Sequence, residues 1–325
     1  MEQGFFFGID TSNYMTSAAC VTSAGEVFCA KRPLAVPLGE KGLRQSDALF
    51  CHTRDLPGVI EECLSSLRKE KGDLPLLGVG ASSAPRRMEG SYMPCFLAGV
   101  NAAQSAATLS GVPFFSFSHQ EGHIEAARFG AGLTTSFPYE EFLAFHLSGG
   151  TTELLLVKED LHRYEVTLIA DTLDLTCGQF LDRCGVKLGL PFPAGAHLEK
   201  LAQHSQKQFK IKIPQKETGI NLSGFENQFD QQKEKGASPE DLAAFCFAVV
   251  EEAIRTLIRF APKNLPLLFS GGVTSSIILQ ERLKNPLYFF APIQFCGDNA
   301  IGIARMARKG VQNGSHDGNQ RHTVK

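Results

Sequence analysis

The chain has 325 residues, of which 43% are hydrophobic and 20% are charged, and its formal net charge is -2. This length suits two domains or one bilobal unit, and the composition allows a substantial hydrophobic core. The charge argues against a chain that binds nucleic acid through an overall positive potential, while leaving room for a local basic face.

The first half of the chain begins with a predicted three-stranded meander. Residues 5–32 contain three apolar strands separated by turns rich in Gly, Ser, Thr and Asp. A helix is predicted over 48–69, where apolar residues recur at helical spacing and Pro57 is placed to start or kink the helix. The next predicted elements are a strand, a helix of small residues and a strand, at 74–82, 92–109 and 113–118.

The second half repeats this design. Residues 142–170 again form three predicted strands joined by tight turns, which indicates a weak internal repeat whose halves face each other across a cleft. Helix 238–261 has the clearest start, with Ser238 as N-cap and Pro239 at the first helical position. The other predicted elements are helices at 178–190 and 196–207, an irregular insertion at 208–236, a strand at 265–272 and a last helix beginning near Asp298.

The alternation of strands and helices predicts an α/β fold. We predict an N-terminal lobe over residues 1–137 and a C-terminal lobe, including helical insertions, over 138–308. Residues 309–325 have almost no apolar content and are expected to form a disordered polar tail.

The compartment is predicted from what the sequence lacks. No segment reaches the roughly 20 apolar residues of a membrane span, and no signal peptide is apparent. The nine cysteines contain no Cys-x-x-Cys motif and are expected to be reduced thiols. We therefore expect a cytoplasmic protein that does not interact with membranes.

Three glycine-bearing turns follow apolar strands: GIDTS at 8–12, LSGGTTE at 147–153 and FSGGVTSS at 269–276. Glycine lets backbone amides approach an anion closely, and the hydroxyls of Ser and Thr add donors. Asp10 and Ser12 of the first turn are candidate catalytic residues. One such turn is a weak signal, but three at matching places in two halves favour nucleotide binding without a P-loop or a GxGxxG motif.

His119 and His123 are four residues apart, so they share one face of a predicted helix. Such a pair either supplies two ligands to a divalent metal ion or lies on a solvated helix face, and the spacing alone leaves both readings open. A zinc protease of the HExxH type is excluded, because Gln120 follows the first histidine where that motif has its glutamate.

Two aspartates occupy notable positions with open alternatives. Asp298 lies at a strand-to-helix junction, where an N-cap is the commonest role for aspartate. Asp182 lies within a mostly apolar helix, where it is either a ligand-binding group or an ordinary exposed or paired carboxylate.

The ordered motifs GIDTS, HQEGH, LSGGTTEL, TCGQFLDRCGVKLGLPFPAG, NLSGFENQ, SGGVTSS and CGDNAIGIA together resemble the universal tRNA threonylcarbamoyladenosine synthase family, over about residues 5–308. The resemblance implies an actin-like ATPase fold, the type shared with sugar kinases and chaperone ATPases, with two ribonuclease H-like lobes around a cleft. It also implies transfer of a threonylcarbamoyl group from its adenylate to the N6 amine of the adenosine beside the anticodon of tRNA.

By the same resemblance, one divalent metal ion, iron or zinc, would be bound by His119, His123 and Asp298. The implied ligand is ATP or an acyl-adenylate, and the implied partners are tRNA and the proteins of a tRNA-modification complex. The residues implied to bind the adenylate lie in the second and third glycine turns and near the helix between them: Leu147, Ser148, Gly149, Gly150, Asp182, Gly195, Gly271, Gly272 and Ser276.

The chain departs from the family pattern at Tyr14, Met15, Arg86, Arg87, Thr151 and Ser276. The first two replace an acidic pair, and the arginines replace part of a Gly-Pro-Gly-Leu motif. These changes either favour a more anionic ligand or contact with RNA phosphate, or they leave two arginines on an unrelated surface. We therefore expect a divergent paralogue, and the alternatives to the family reaction are another carbamoyltransferase or a non-catalytic nucleotide-binding partner.

Overall fold

The computed structural model describes residues 3–12, 14–35, 43–133, 140–297 and 300–314. The chain divides into two compact units. The first unit comprises residues 1–129, 159–165 and 297–325. The second unit comprises residues 130–158 and 166–296.

The first unit contains a five-stranded sheet in the order β3-β2-β1-β4-β5. Its strands are β1 (Phe5–Ser12), β2 (Met15–Thr22), β3 (Val27–Pro33), β4 (Leu76–Ala84) and β5 (Phe114–Ser118). β1, β2 and β3 form the predicted antiparallel meander, and β4 and β5 continue the sheet in parallel with β1.

Three helices alternate with these strands: α1 (Gln45–Lys71), α2 (Phe96–Ser110) and α3 (His119–Gly130). Helix α1 runs through Pro57 without ending there. Leu56 and Val59 of α1 share one hydrophobic core with Ile9 of β1, so burial of this face holds α1 on the sheet. Because α3 begins directly after β5, His119 is the first residue of a helix at the carboxyl edge of the sheet.

The second unit contains a six-stranded sheet in the order β11-β10-β6-β7-β8-β9. Its strands are β6 (Glu141–Leu147), β7 (Thr152–Asp160), β8 (Arg163–Thr172), β9 (Gly219–Ile220), β10 (Leu267–Ser270) and β11 (Tyr288–Phe290). Apart from the short edge strand β9, the two sheets share one arrangement. The first strand of each unit, β1 or β6, lies between the antiparallel strand that follows it, β2 or β7, and a parallel strand, β4 or β10. The predicted repeat of the strand arrangement is therefore confirmed.

The helices of the second unit are α4 (Cys177–Lys187), α5 (Gly195–Ala202), α6 (Ser223–Glu234), α7 (Pro239–Ile258) and α8 (Ile277–Arg282). The start of α7 is as predicted, since the Ser238 hydroxyl accepts a hydrogen bond from the Asp241 amide and Pro239 opens the helix. The prediction of an irregular insertion over 208–236 was wrong in its second half, because β9 and α6 form there and Phe225 and Phe229 are buried.

The last helix, α9 (Ile301–Gln312), belongs to the first unit and not to the predicted C-terminal lobe. It packs closely on the sheet because a Cβ on Gly8 would clash with the backbone of Ala304. It also touches α3, because a Cβ on Gly302 would clash with the carbonyl oxygen of Gly122. The prediction of a disordered tail from residue 309 was therefore wrong at its start, since residues 309–312 are helical. Residues 315–325 lie outside the described part of the chain.

A buried cluster of charges joins α3, α9 and the tip of the β7–β8 hairpin within the first unit. The carboxylate of Glu125 lies 2.9 Å from Nε of Arg305 and 2.7 Å from Nζ of Lys309. Lys309 also lies 2.9 Å from the carboxylate of Glu159, and the Tyr164 hydroxyl donates to Glu125. Burial alone would raise the pKa of Glu125, but the charges of Lys309 and Arg305 outweigh it and hold this pKa at about 2.

Among the described residues, no helix combines the length and the apolar composition that crossing a membrane requires.

All nine cysteines are free thiols, and only Cys29 is exposed.

We predict that Glu125→Gln lowers the free energy of unfolding by about 3–5 kcal/mol, because it leaves buried cations without their carboxylate. Glu141→Gln is the control: it removes an exposed pair with Lys158 and should cost about 0–1 kcal/mol. Urea unfolding at neutral pH measures both variants, and equal losses would contradict the prediction.

Because the pKa of Glu125 is lowered on folding, its contribution to the free energy of unfolding should be present above pH 4.5 and lost as the pH falls toward 2.

Candidate functional site

The first candidate site lies in the first unit, where parallel strands end side by side. Asp10 lies near the carboxyl end of β1, Ser82 lies near that of β4, and His119 directly follows β5. Ligands of open α/β sheets bind outside the carboxyl ends of the strands. The sheet thus brings together side chains that are far apart in the sequence.

Four side chains at this edge are linked in a row. The Ser82 hydroxyl donates to one carboxylate oxygen of Asp10. Asp10 is only 1% exposed. The other carboxylate oxygen lies 2.8 Å from Nδ1 of His119. On the far side of that ring, Nε2 of His119 lies 2.9 Å from Nε2 of His123. The histidines therefore converge on each other and on a buried carboxylate, which is not the geometry of a solvated helix face.

The histidine pair fits two positions of a metal site. Two nitrogens bound to one ion at about 2.0–2.1 Å, at angles of about 90–110°, lie about 2.8–3.4 Å apart. The observed 2.9 Å lies within that range. Asp10 contacts Nδ1 of His119, so the ring nitrogen that faces His123 is Nε2, and carboxylates commonly orient metal-bound histidines in this way. Asp298 lies outside the described residues, and those residues contain no cluster of three metal-ligating groups.

The first turn and the elements that follow it contain further buried polar side chains. Ser12 is buried, and its hydroxyl has no hydrogen-bond partner among the residues that the structure describes. Below the turn, the Thr16 hydroxyl lies 2.8 Å from Nδ1 of His52, and burial lowers the pKa of His52, so this imidazole is neutral at pH 7. Ser12 was predictable from its glycine-bearing turn, whereas no motif in the sequence identifies Ser82 or His52.

The second candidate site lies in the second unit, at the turn between β6 and β7. The Ser148 hydroxyl accepts from the amides of Gly150 at 3.3 Å and Thr151 at 3.1 Å, so the turn holds itself in shape. The Thr176 hydroxyl donates to the carbonyl of Gly149 at 3.0 Å and also caps the start of α4. The turn and the N-terminus of α4 are therefore built as one structure.

The third glycine turn packs directly on the second. Gly271 has a φ of 99°, which favours glycine, and a Cβ there would also clash with the carbonyl oxygen of Leu147. The other predicted glycines share one property, which is that an added Cβ would meet no atom of the described residues within 4 Å: Gly149, Gly150, Gly195 and Gly272. The structure thus brings the two turns together and leaves their glycine backbones open on one side.

The two remaining predicted residues already have partners in the fold. One oxygen of Asp182 accepts from the Ala194 amide at 2.7 Å, which holds the carboxylate beside Gly195. The Ser276 hydroxyl donates to Glu199 at 2.6 Å and caps α8. Capping explains a serine at position 276 without a ligand, so the substrate-binding role of Ser276 stays a prediction.

Comparison with known proteins agrees with this architecture. A structure of HypF from T. kodakarensis superposes with a TM-score of 0.58 at 15% identity, covering 95% of this chain and 48% of that one. At this identity the likeness concerns the fold alone. The chain has the actin-like ATPase type of fold, with two ribonuclease H-like units.

Sequence comparison identifies the family. A relative from Listeria innocua, named tRNA N6-adenosine threonylcarbamoyltransferase, is 30% identical over 319 residues, which cover 91% of this chain and 88% of the relative. A relative of the same name from Methanopyrus kandleri is 26% identical over 91% of this chain and 85% of its own length. The family model TsaD, described as tRNA N6-adenosine threonylcarbamoyltransferase, matches residues 42–305. The chain therefore belongs to this family.

Proposed function

We propose that the chain transfers a threonylcarbamoyl group from its adenylate to the N6 amine of the adenosine beside the anticodon of tRNA, using one divalent metal ion, iron or zinc. Family membership supports the reaction class and tRNA as the substrate. The observation that carries the metal-dependent form is the convergence of His119 and His123 on each other beside buried Asp10.

His119 and His123 would hold the ion, with Asp298 as the third ligand. The close contact between Gly302 and Gly122 supports this choice, because Gly122 lies between the two histidines and Asp298 precedes Gly302 by four residues. When bound, the ion would act as a Lewis acid toward the acyl group of the donor. Asp10 touches no substrate in this scheme and is a positioning residue, which revises the catalytic role that we predicted for it.

The adenylate would be bound by the second unit. The open backbone at Gly149, Gly150 and Gly272 allows a ligand to approach the main chain closely. The N-terminus of α4 adjoins this turn, and the partial positive charge of a helix N-terminus favours a phosphate group there. Asp182 lies one helical turn beyond Gly178, which touches the turn, so its carboxylate suits the hydroxyls of a ribose.

The chemical step requires no side-chain nucleophile. The N6 nitrogen forms a bond to the acyl carbon, the bond between that carbon and the phosphate oxygen breaks, AMP leaves and one proton is released to solvent. The work of the protein is to align donor and acceptor and to stabilise charge at the acyl oxygen.

The direct test is a transfer assay. Purified protein with an added divalent metal, threonylcarbamoyl-adenylate and unmodified tRNA should give modified adenosine, detected by mass spectrometry of digested nucleosides. Absence of product, also with the protein partners of the family added, would reject the reaction. Product from carbamoyl phosphate and ATP with another acceptor would instead favour the alternative carbamoyltransferase, and nucleotide binding without any product would favour a non-catalytic partner.

We predict that Asp10→Asn lowers the affinity for Fe²⁺ or Zn²⁺ by about 10–100-fold, because the carboxylate no longer orients His119. Equilibrium dialysis followed by elemental analysis measures this affinity independently of activity. His204→Ala is the matched control, since His204 is exposed and lies in the second unit. An unchanged affinity in Asp10→Asn would argue against metal binding at this pair.

We predict that Gly272→Leu weakens adenylate binding by about tenfold, equivalent to about 1.4 kcal/mol, without a loss of folding. Its Cβ would enter the space in which the ligand is expected, where no atom of the described residues lies within 4 Å of it. Gly224→Leu, at an equally open glycine of α6, should leave binding unchanged. Calorimetric titration with a non-hydrolysable acyl-adenylate measures both, and equal affinities would place the ligand elsewhere.

A further inference from the structure

The segment that follows β4 and ends at the first residue of α2, residues 85–96, borders the histidine site and is tied to it at both ends. At its start, the carbonyl of Pro85 accepts from the amide of Gln120 at 3.1 Å, one residue after His119. At its end, the carbonyl of Cys95 accepts from the Thr11 hydroxyl at 3.1 Å. The ring of Phe96 then lies 6.2 Å from the ring of His119, measured between centroids. The segment therefore forms a rim of the site.

The middle of this rim has a defined conformation. The Ser91 amide donates to the carbonyl of Met88 at 3.2 Å, and the Ser91 hydroxyl accepts from the amide of Arg86 at 3.1 Å. Gly90 has a φ of 78°, which suits glycine in a turn. Internal hydrogen bonds thus hold the rim in shape before any ligand binds, which lowers the entropy cost of binding.

The rim exposes side chains of a particular kind. Met88 is 66% exposed, Tyr92 is 62% exposed and Arg87 is exposed as well. Arg87, Met88 and Tyr92 thus place a cation, an apolar group and an aromatic ring on the solvent-exposed side of one short segment. Counting Arg86 and Arg87 against Glu89, the segment carries a net charge of 2 − 1 = +1, in a chain whose formal net charge is -2.

We infer that residues 87–92 contact single-stranded RNA beside the histidine pair, with Arg87 on a backbone phosphate and Tyr92 stacked on a base. This inference rests on the proposed function and names where the RNA substrate meets the site. Single-stranded RNA is recognised by stacking on aromatic side chains and by arginine on phosphate, which is the combination found here. The exposure of these groups on a rim favours a macromolecule that arrives from solvent over a small ligand enclosed by the protein.

Two variants separate the two contacts. Arg87→Ala should reduce the slope of log affinity against log salt by about 0.7–0.9, the value of one lost phosphate contact, whereas Arg87→Lys should retain the slope. Tyr92→Ala should weaken binding roughly 5- to 150-fold at one salt concentration with an unchanged slope, and Tyr92→Phe should retain the affinity. The measurement is fluorescence anisotropy with unmodified tRNA, using full-length protein at several salt concentrations.

Lys263→Ala is the control, since Lys263 is exposed and lies in the second unit. The inference would be overturned if Arg87→Ala and Lys263→Ala changed the salt-dependence slope equally. It would also be overturned if neither Arg87→Ala nor Tyr92→Ala changed the binding of tRNA. Weakened binding of the adenylate with unchanged binding of tRNA would also overturn it, in favour of a small anionic ligand. If the wild-type protein modifies tRNA and the rim variants bind tRNA normally, the inference fails and the proposed function stands. If the wild-type protein binds no tRNA, the inference and the proposed function are both rejected.

Discussion

The buried ion pairs of Glu125 with Arg305 and Lys309 constrain the part of the first unit on which the candidate site depends. Charges removed from water are tolerated only when they meet a partner in good geometry, so the register of α3 against α9 is tightly fixed. The contact between Gly122 and Gly302 allows no alternative spacing of these helices. His119 and His123 lie in the first five residues of the same helix, before Glu125, so their positions follow from a cluster that takes no part in the chemistry.

The sequence predicted what local patterns determine. Alternating apolar strands revealed the meander and its repeat, and Ser238 with Pro239 marked a helix start, because these signals act over a few residues. The pairing of Asp10 with His119 was not predictable, since 109 residues separate them and only the order of the sheet brings them together. The same limit hid the place of α9, whose residues 309–312 look polar although Lys309 has buried carboxylate partners.

The row formed by Ser82, Asp10, His119 and His123 contains none of the positions at which the chain departs from its family pattern. The geometry that would hold a metal is therefore independent of the replaced first-turn residues Tyr14 and Met15. Loss of that acidic pair cannot by itself dismantle the histidine site, because Asp10 is held from β4 and α3.

The replaced positions have a different place in the fold. Arg87 projects from a rim whose two ends are fixed to the site, and Ser276 is explained by a helix cap and a hydrogen bond to Glu199. A change at an exposed rim alters what a site accepts without moving the groups beneath it, since the rim is held by its own backbone hydrogen bonds. Under the proposed function, divergence of this kind would change the recognised substrate more readily than the type of reaction, because Arg87 lies on the exposed rim and the histidine pair is held by buried Asp10.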